Sequence, residues 1–189
     1  LWPCAPHLNL LPGEPDKHGE AIGIGHPFVE TSAVLEARLG EIYYWGDAGM
    51  ERNPAEAARW LKKAAAQGIP SAQNALGVLH ESGVGVTKDL PEAVAWFRRA
   101  AEQGNPKAES NLGRLYWHGV GVERDLVQSC FWLNLAASQG EITAVNLLEE
   151  LKPALSTNQL ATAERLSQEH IARRKAPAPR CLGEDGGGS

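Results

Sequence analysis

Six histidines and three cysteines are the side chains that could give this 189-residue chain a metal site or a reactive centre. His7, His18 and His26 share one glycine- and proline-rich stretch. Imidazole is a common metal ligand, but their spacing fits no standard site and reads as solvated loop. Gly23-Ile24-Gly25 lacks the strand, the helix and the third glycine of a dinucleotide fingerprint. Cys4, Cys130 and Cys181 are too few for a disulfide scaffold, and no Cys-x-x-Cys pair is present. Cys130 lies in a helical pattern beside Phe131 and Trp132 and reads as an inert buried thiol. Cys4 and Cys181 fall in the two irregular ends and can pair only if those ends meet. No Gly-x-Ser-x-Gly elbow, His-Glu-x-x-His helix or phosphate-binding loop occurs. Glu149-Glu150 reads as a solvated helix face. An enzyme therefore has no positive support, and no catalytic residue, metal or cofactor is expected.

The elements around these residues are set by a repeat. Trp-(x)7-Gly recurs every 36 residues, as Trp60…Gly68, Trp96…Gly104 and Trp132…Gly140. An alanine-rich turn and Gln-Gly close each copy; Ala72, Ala108 and Ala144 follow, then Leu76, Leu112 and Leu148. Self-similarity at this period means a stacked array, in which neighbours bury each other's apolar faces. A 43% apolar fraction is enough for a core. The net charge of −5 argues against a nucleic-acid partner. No apolar run approaches the ~18 residues of a membrane span. The only methionine is Met50, so residue 1 is not a start codon product and an upstream piece is expected to have been removed.

The punctuation gives three regions. Residues 1–30 hold five prolines and four glycines and read as an irregular extension. Residues 31–175 carry the helices. Thr31-Ser32 is a capping candidate for the first, Asn53-Pro54 opens the second, and Gly68 ends it as a left-handed cap. Pro70, Asp89, Asn105-Pro106 and Asp125 open the next four, Glu141–Leu151 reads as a shorter helix, and Ser156-x-x-Gln159 is a capping box for the last. Residues 176–189 read as a flexible tail. The fold class is all-α, an α/α solenoid of about four antiparallel helix pairs. Leu39-Gly40, Leu76-Gly77 and Leu112-Gly113 recur in the first helix of each pair. A glycine there implies an approach too close for a side chain. The tryptophan of the second helix is expected to fill the space between layers. His80 stands where other copies have Tyr43 and Tyr116 and reads as a packed aromatic substitute.

The combined pattern, Ala-(x)3-Leu-Gly-(x)5-Gly-x-Gly-Val-(x)2-Asp-(x)6-Trp-(x)3-Ala-Ala-x-Gln-Gly, resembles the Sel-one-like repeat, a relative of the tetratricopeptide repeat. The copies Ala72–Gly104 and Ala108–Gly140 fit throughout. The first copy has a turn one residue longer, and the fourth loses its glycines and tryptophan as a terminal cap would. The resemblance covers about residues 33–172. It implies an adaptor, scaffold or inhibitor acting through protein contacts. Similar bacterial proteins imply an envelope role or an immunity role against a secreted toxin or effector, in the periplasm or exported, with the cytoplasm as alternative.

In such arrays the first helix of each pair lines the concave surface. Helical spacing from each Leu-Gly then gives Glu41, Tyr44 and Trp45; Asn74, Val78, Glu81 and Ser82; and Ser110, Arg114, Trp117 and His118 as a protein-binding groove. Ala37, Asn146 and Glu149 extend it. Trp45 and Trp117 lie outside the recurring set. Each is either an interface anchor or a residue packed on a neighbouring turn or the N-terminal extension. A self-associating scaffold is the alternative to a groove that takes another protein.

Overall fold

A computed structural model of the chain describes residues 27–46 and 49–175. The readings made for His7, His18, His26, Gly23-Ile24-Gly25, Cys4 and Cys181 lie outside the described residues. Among those described there are eight α-helices and no strand. They run α1 (Pro27–Trp45), α2 (Pro54–Ala66), α3 (Pro70–Ser82), α4 (Leu90–Glu102), α5 (Pro106–His118), α6 (Leu126–Ser138), α7 (Ile142–Leu151) and α8 (Thr157–Lys175). A 3-10 turn, Lys152–Ala154, joins the last two. The expected all-α solenoid of helix pairs is what the chain forms. Because α1 starts at Pro27, Thr31 and Ser32 lie inside it rather than capping it.

Local chemistry places the other ends where the sequence put them. The side chains of Asn53, Asp89, Asn105 and Asp125 accept the N–H of Glu56, Glu92, Ala108 and Gln128 at 2.9–3.2 Å, filling first-turn donors that a helix leaves open. Gln159 and Ser156 bond reciprocally as a capping box. Within each pair one more bond recurs. The backbone N–H of Asn53, Asp89 and Asp125 donates to the carbonyl of Tyr43, His80 and Tyr116 at 2.8, 2.9 and 3.0 Å. The residue that caps the second helix thus also ties it to the first.

Packing within pairs rests on the Leu-Gly glycines. A methyl on Gly40 would sit 2.5 Å from Leu61, one on Gly77 2.8 Å from the Phe97 ring, and one on Gly113 2.7 Å from Leu133. The close approach is as expected, and the residue after each tryptophan fills it: Leu61, Phe97 and Leu133 are buried. Of the tryptophans expected between layers, Trp132 is buried in one apolar cluster and Trp96 packs on another. Trp60 and Trp96 are only half-buried, under Lys63 and Arg99 at 4.3 and 4.4 Å. An indole has no place facing a glycine that already touches a smaller side chain.

Between pairs, the stripes Ala72/Leu76/Leu79, Ala108/Leu112/Leu115 and Ala144/Leu148/Leu151 are buried. They lie on first helices packed against the preceding second helix, α3 on α2, α5 on α4 and α7 on α6. The Gly-Val-Gly-Val turns join in, since a side chain on Gly85 or Gly121 would strike the carbonyl of Pro54 or Leu90, 2.2 and 2.7 Å away. Three contiguous apolar clusters result.

The fourth unit departs from the pairing. Glu149 stands where the other first helices carry glycine, and α8 lies mainly against α6 rather than α7. The far end of α8 reaches the junction of the second and third repeats. Arg174 donates to the fully buried Glu109 at 2.6 Å and to the Ala101 carbonyl at 2.7 Å. One repeat earlier that carbonyl has an equivalent, Ala65, served by Gln73 at 3.1 Å. Glu109 replaces Gln73 and accepts only, so the arginine supplies the missing donor.

Two outcomes follow from this packing. Gly77→Ala should cost about 1–3 kcal/mol in urea unfolding, because the Phe97 ring must move; no loss would refute the close approach. Arg174→Ala should cost about 3 kcal/mol by stranding a buried carboxylate. In a Glu109→Gln background the same change should cost under about 1 kcal/mol, since glutamine can serve the Ala101 carbonyl itself. Equal costs in both backgrounds would separate Arg174 from Glu109.

Candidate protein-binding groove

The first helices α1, α3 and α5 lie in order, with α1 touching α3 and α3 bonded to α5. Their free faces line a cleft of about 330 Å³. It brings together Glu41, Tyr44 and Trp45 from α1 with Asn74 and Val78 from α3, five of the eleven groove residues expected from sequence. Trp45 is 74% exposed. The Tyr44 ring meets it edge-on at 4.8 Å. Arg52 holds Tyr44 in turn, donating to its carbonyl at 3.2 Å and lying 5.7 Å from its ring centre. The indole therefore stands on a fixed support beside an apolar wall of Ala75, Val78 and Leu79. Asn105 and Lys107, from the start of α5, also line the cleft. They escaped the sequence reading because counting from Leu-Gly samples the middle of each helix and not its first turn.

The other expected residues divide. Glu81 and Arg114 are bonded to each other at 2.7 and 2.8 Å across α3 and α5. Asn111 donates to Asn74 at 3.1 Å beside them. These polar pairs hold the two helices in register and leave little free charge. Ser110 is buried. That removes Ser110 from the exposed surface. Trp117 is half-buried and packs on the third cluster with Leu126 and Val127. His118 is exposed and stacks on it at 5.1 Å.

A wider cleft of about 600 Å³ opens among the second helices and turns, lined by Arg98, Tyr116, Arg124, Asp125 and Trp132. Arg98 donates to the Tyr116 hydroxyl and Arg124 to the Trp117 carbonyl, so both cations are engaged within the fold. Among the described residues no group of three or more His, Cys, Asp or Glu converges as a metal site. No described helix is long and apolar enough to cross a membrane. Cys130 is fully buried, and burial pushes its thiol above the ordinary range.

Comparison with known proteins matches this arrangement. The Sel1 repeat model fits residues 34–69, 70–105 and 106–141, over half the chain. The chain belongs to the Sel1 repeat family. Its members are generally protein-interaction modules and typically non-catalytic scaffolds. Among solved structures it is similar to c5321, described as a protective antigen of uropathogenic Escherichia coli displaying an SLR fold. That match has 35% identity and a TM-score of 0.70, and covers 86% of this chain but 36% of the other. A Sel1 repeat protein from Oxalobacter formigenes matches at 34% identity and a TM-score of 0.60, over 66% of this chain and 51% of the other. The chain thus spans about a third to a half of the length of these relatives. No curated protein matches it.

The two tryptophans of this Sel1 surface should separate in stability measurements. Trp117→Ala should lower unfolding free energy by about 2–4 kcal/mol, as for an aromatic removed from a packed cluster. Trp45→Ala should change it by no more than about 0.5 kcal/mol. Equal losses would show that Trp45 is also packed in solution.

Proposed function

We propose that the chain binds another protein in the cleft between α1 and α3, with Trp45 as anchor. The observation that carries this is a 74%-exposed indole held by Tyr44 and Arg52 at the mouth of an apolar cleft. Trp, Tyr and Arg dominate binding energy at interfaces, and a pre-set aromatic loses little freedom on binding. The rim supplies Lys107 on α5 and, on α1, Glu41, whose carboxylate also pairs with Arg38 at 3.0 Å. An extended segment with an apolar residue flanked by a basic and an acidic one would match it. Membership of the Sel1 family supports a protein as partner.

The finer reading is an adaptor in a bacterial envelope complex, or an inhibitor or immunity protein against a secreted effector, working in the periplasm or outside the cell. Supporting it, the Escherichia coli neighbour is described as a protective antigen. A protein against which immunity protects is one the immune system meets, which favours export.

The test is capture from extract and culture fluid of the source organism, followed by titration of the purified partner. Trp45→Ala and Val78→Glu should each weaken binding by about 30-fold or more, the ~2 kcal/mol of an anchor residue. Undiminished affinity in both folded variants would move the interface off the cleft.

A further inference from the structure

The side of α8 turned to α6 differs from the Ala/Leu/Leu seams of the array. Its stripe runs Leu160, Ala163, Ser167, His170 and Arg174, at steps of three and four residues that keep one helical face. Leu160 and Ala163 sit in the third apolar cluster. The three that follow are polar. Yet the helix beneath them, α6, carries no charged residue along its whole length. Ser167 is buried and donates its hydroxyl to the Glu164 carbonyl of its own helix at 2.9 Å. Arg174 is held by Glu109 and the Ala101 carbonyl. Between them His170 meets the Phe131 ring edge-on at 5.6 Å. Its Nε2 is buried and has no hydrogen-bond partner among the described residues. Ile171 adds an apolar contact in this half, on the first cluster.

That place accepts a neutral imidazole and resists an imidazolium. A neutral ring can leave one nitrogen against an apolar neighbour at moderate cost, whereas a charged ring needs an acceptor for each N–H. The groups around it offer none. α6 presents uncharged side chains, with the buried Cys130 thiol as its titratable group. On α8, Arg173 and Arg174 follow three and four residues on and add like charge. Glu169 bonds to Arg165 at 2.7 Å. Glu109, on α5, is taken by Arg174 and Gln139. Arg174 cannot swing away without stranding that carboxylate. Desolvation first, then the two arginines, hold the His170 imidazole below its ordinary 6.5.

We propose that residues 167–175 of α8 form an acid-released latch over α6, with His170 as its trigger. Above the free imidazole's 6.5 the ring is neutral whether seated or released, and the latch keeps its full hold. As pH falls from there through the lower seated value, the released helix binds a proton that the seated one refuses, and docking weakens. Glu109 works the other way, because burial raises its pKa and the seated state holds its proton more tightly. A variant that keeps Glu109 keeps that opposing share. Release turns Phe131 and the Ala101 carbonyl toward solvent. The Leu-Gly contacts of the three repeats do not involve α8, so the array stays folded beneath it. The chain then offers a face on its third repeat that is covered at neutral pH.

Hydrogen–deuterium exchange of the full chain at about pH 7.5 and about pH 5.5, corrected for intrinsic rates, tests this beside His170→Phe, which fills the same place without a charge to gain. On acidification the wild-type amides of residues 167–175 should lose about tenfold more protection than those of His170→Phe, the effect of one unit of displaced pKa. Amides of α3, α4 and α5 should respond alike in the two proteins. An equal response at residues 167–175, whether a loss or none, overturns the proposal, since His170 then triggers nothing. A wild-type loss spread over α3, α4 and α5 also overturns it, because the array and not the latch is then opening. Titration of the His170 ring by NMR is the independent check: a midpoint at or above about 6.5 overturns its role as trigger.

Discussion

The contact between a glycine on one helix and a branched or aromatic side chain on the next governs this solenoid. Gly40, Gly77 and Gly113 leave no room for even a methyl group against Leu61, Phe97 and Leu133. That fixes the depth to which the two helices of a pair sink together. The depth fixes how the capping residue of the second helix reaches the carbonyl of Tyr43, His80 or Tyr116. It also sets the face each pair offers to its neighbour, where the Ala/Leu/Leu stripes seat. Close packing of this kind has few alternative arrangements, so small residues at fixed spacing specify a unique geometry as well as stabilise it.

The same contact explains where the array stops. With Glu149 in the glycine position, a second helix cannot sink against α7. α8 turns away and lies on α6 instead, ending with Arg174 in the junction between repeats two and three. A buried ion pair is a weak source of stability by itself, because both charges lose water. Here burial raises the pKa of Glu109, while Arg174 and Gln139 pull it down. The net direction is upward, so the folded state holds this proton more tightly than the unfolded chain. Stability from the group is full below the ordinary 4.5 and declines as pH rises through the folded value. The gain from the pair is one of register. It satisfies a carbonyl that the repeat pattern leaves without its usual donor.

Most of the fold was legible in sequence, because repetition averages over local accidents. Each cap, each turn glycine and the Leu-Gly approach recur with one spacing and could be checked against one another. What the repeat could not show is how unevenly its positions are filled. Trp132 is buried, while Trp60 and Trp96 are half-buried with Lys63 and Arg99, three residues on, lying over each indole. The docking of α8 had a signal that went unread. Where α2 and α4 carry Lys62-Lys63 and Arg98-Arg99, α6 carries Asn134-Leu135, and Phe131 replaces Arg59 and Ala95. A helix apolar on every face is covered on every face, and α8 is its cover. Of the site, counting along the helix found the cleft residues of α1 and α3. It could not foresee that Glu81 and Arg114 would neutralise each other, nor that Ser110 would be buried.

The cleft and the end face follow from position in the array more than from residue type. Every first helix has a concave side and a side turned to the preceding pair. Only α1 lacks a described helix on that second side, and only there are leucines of the stripe exposed. Likewise Trp45 and Trp117 sit one position apart in the repeat register and meet opposite fates. Trp117 has the third cluster to pack on, while Trp45 stands at the last turn of α1 with Tyr44 as its one aromatic neighbour among the described residues. A repeat supplies identical sites and lets the ends differ. Among the described residues, Leu35 and Trp45 of the first matched repeat keep more than half of their surface exposed, while Ala72 and Ala108, in register with Leu35, are buried and Trp117 is half-buried.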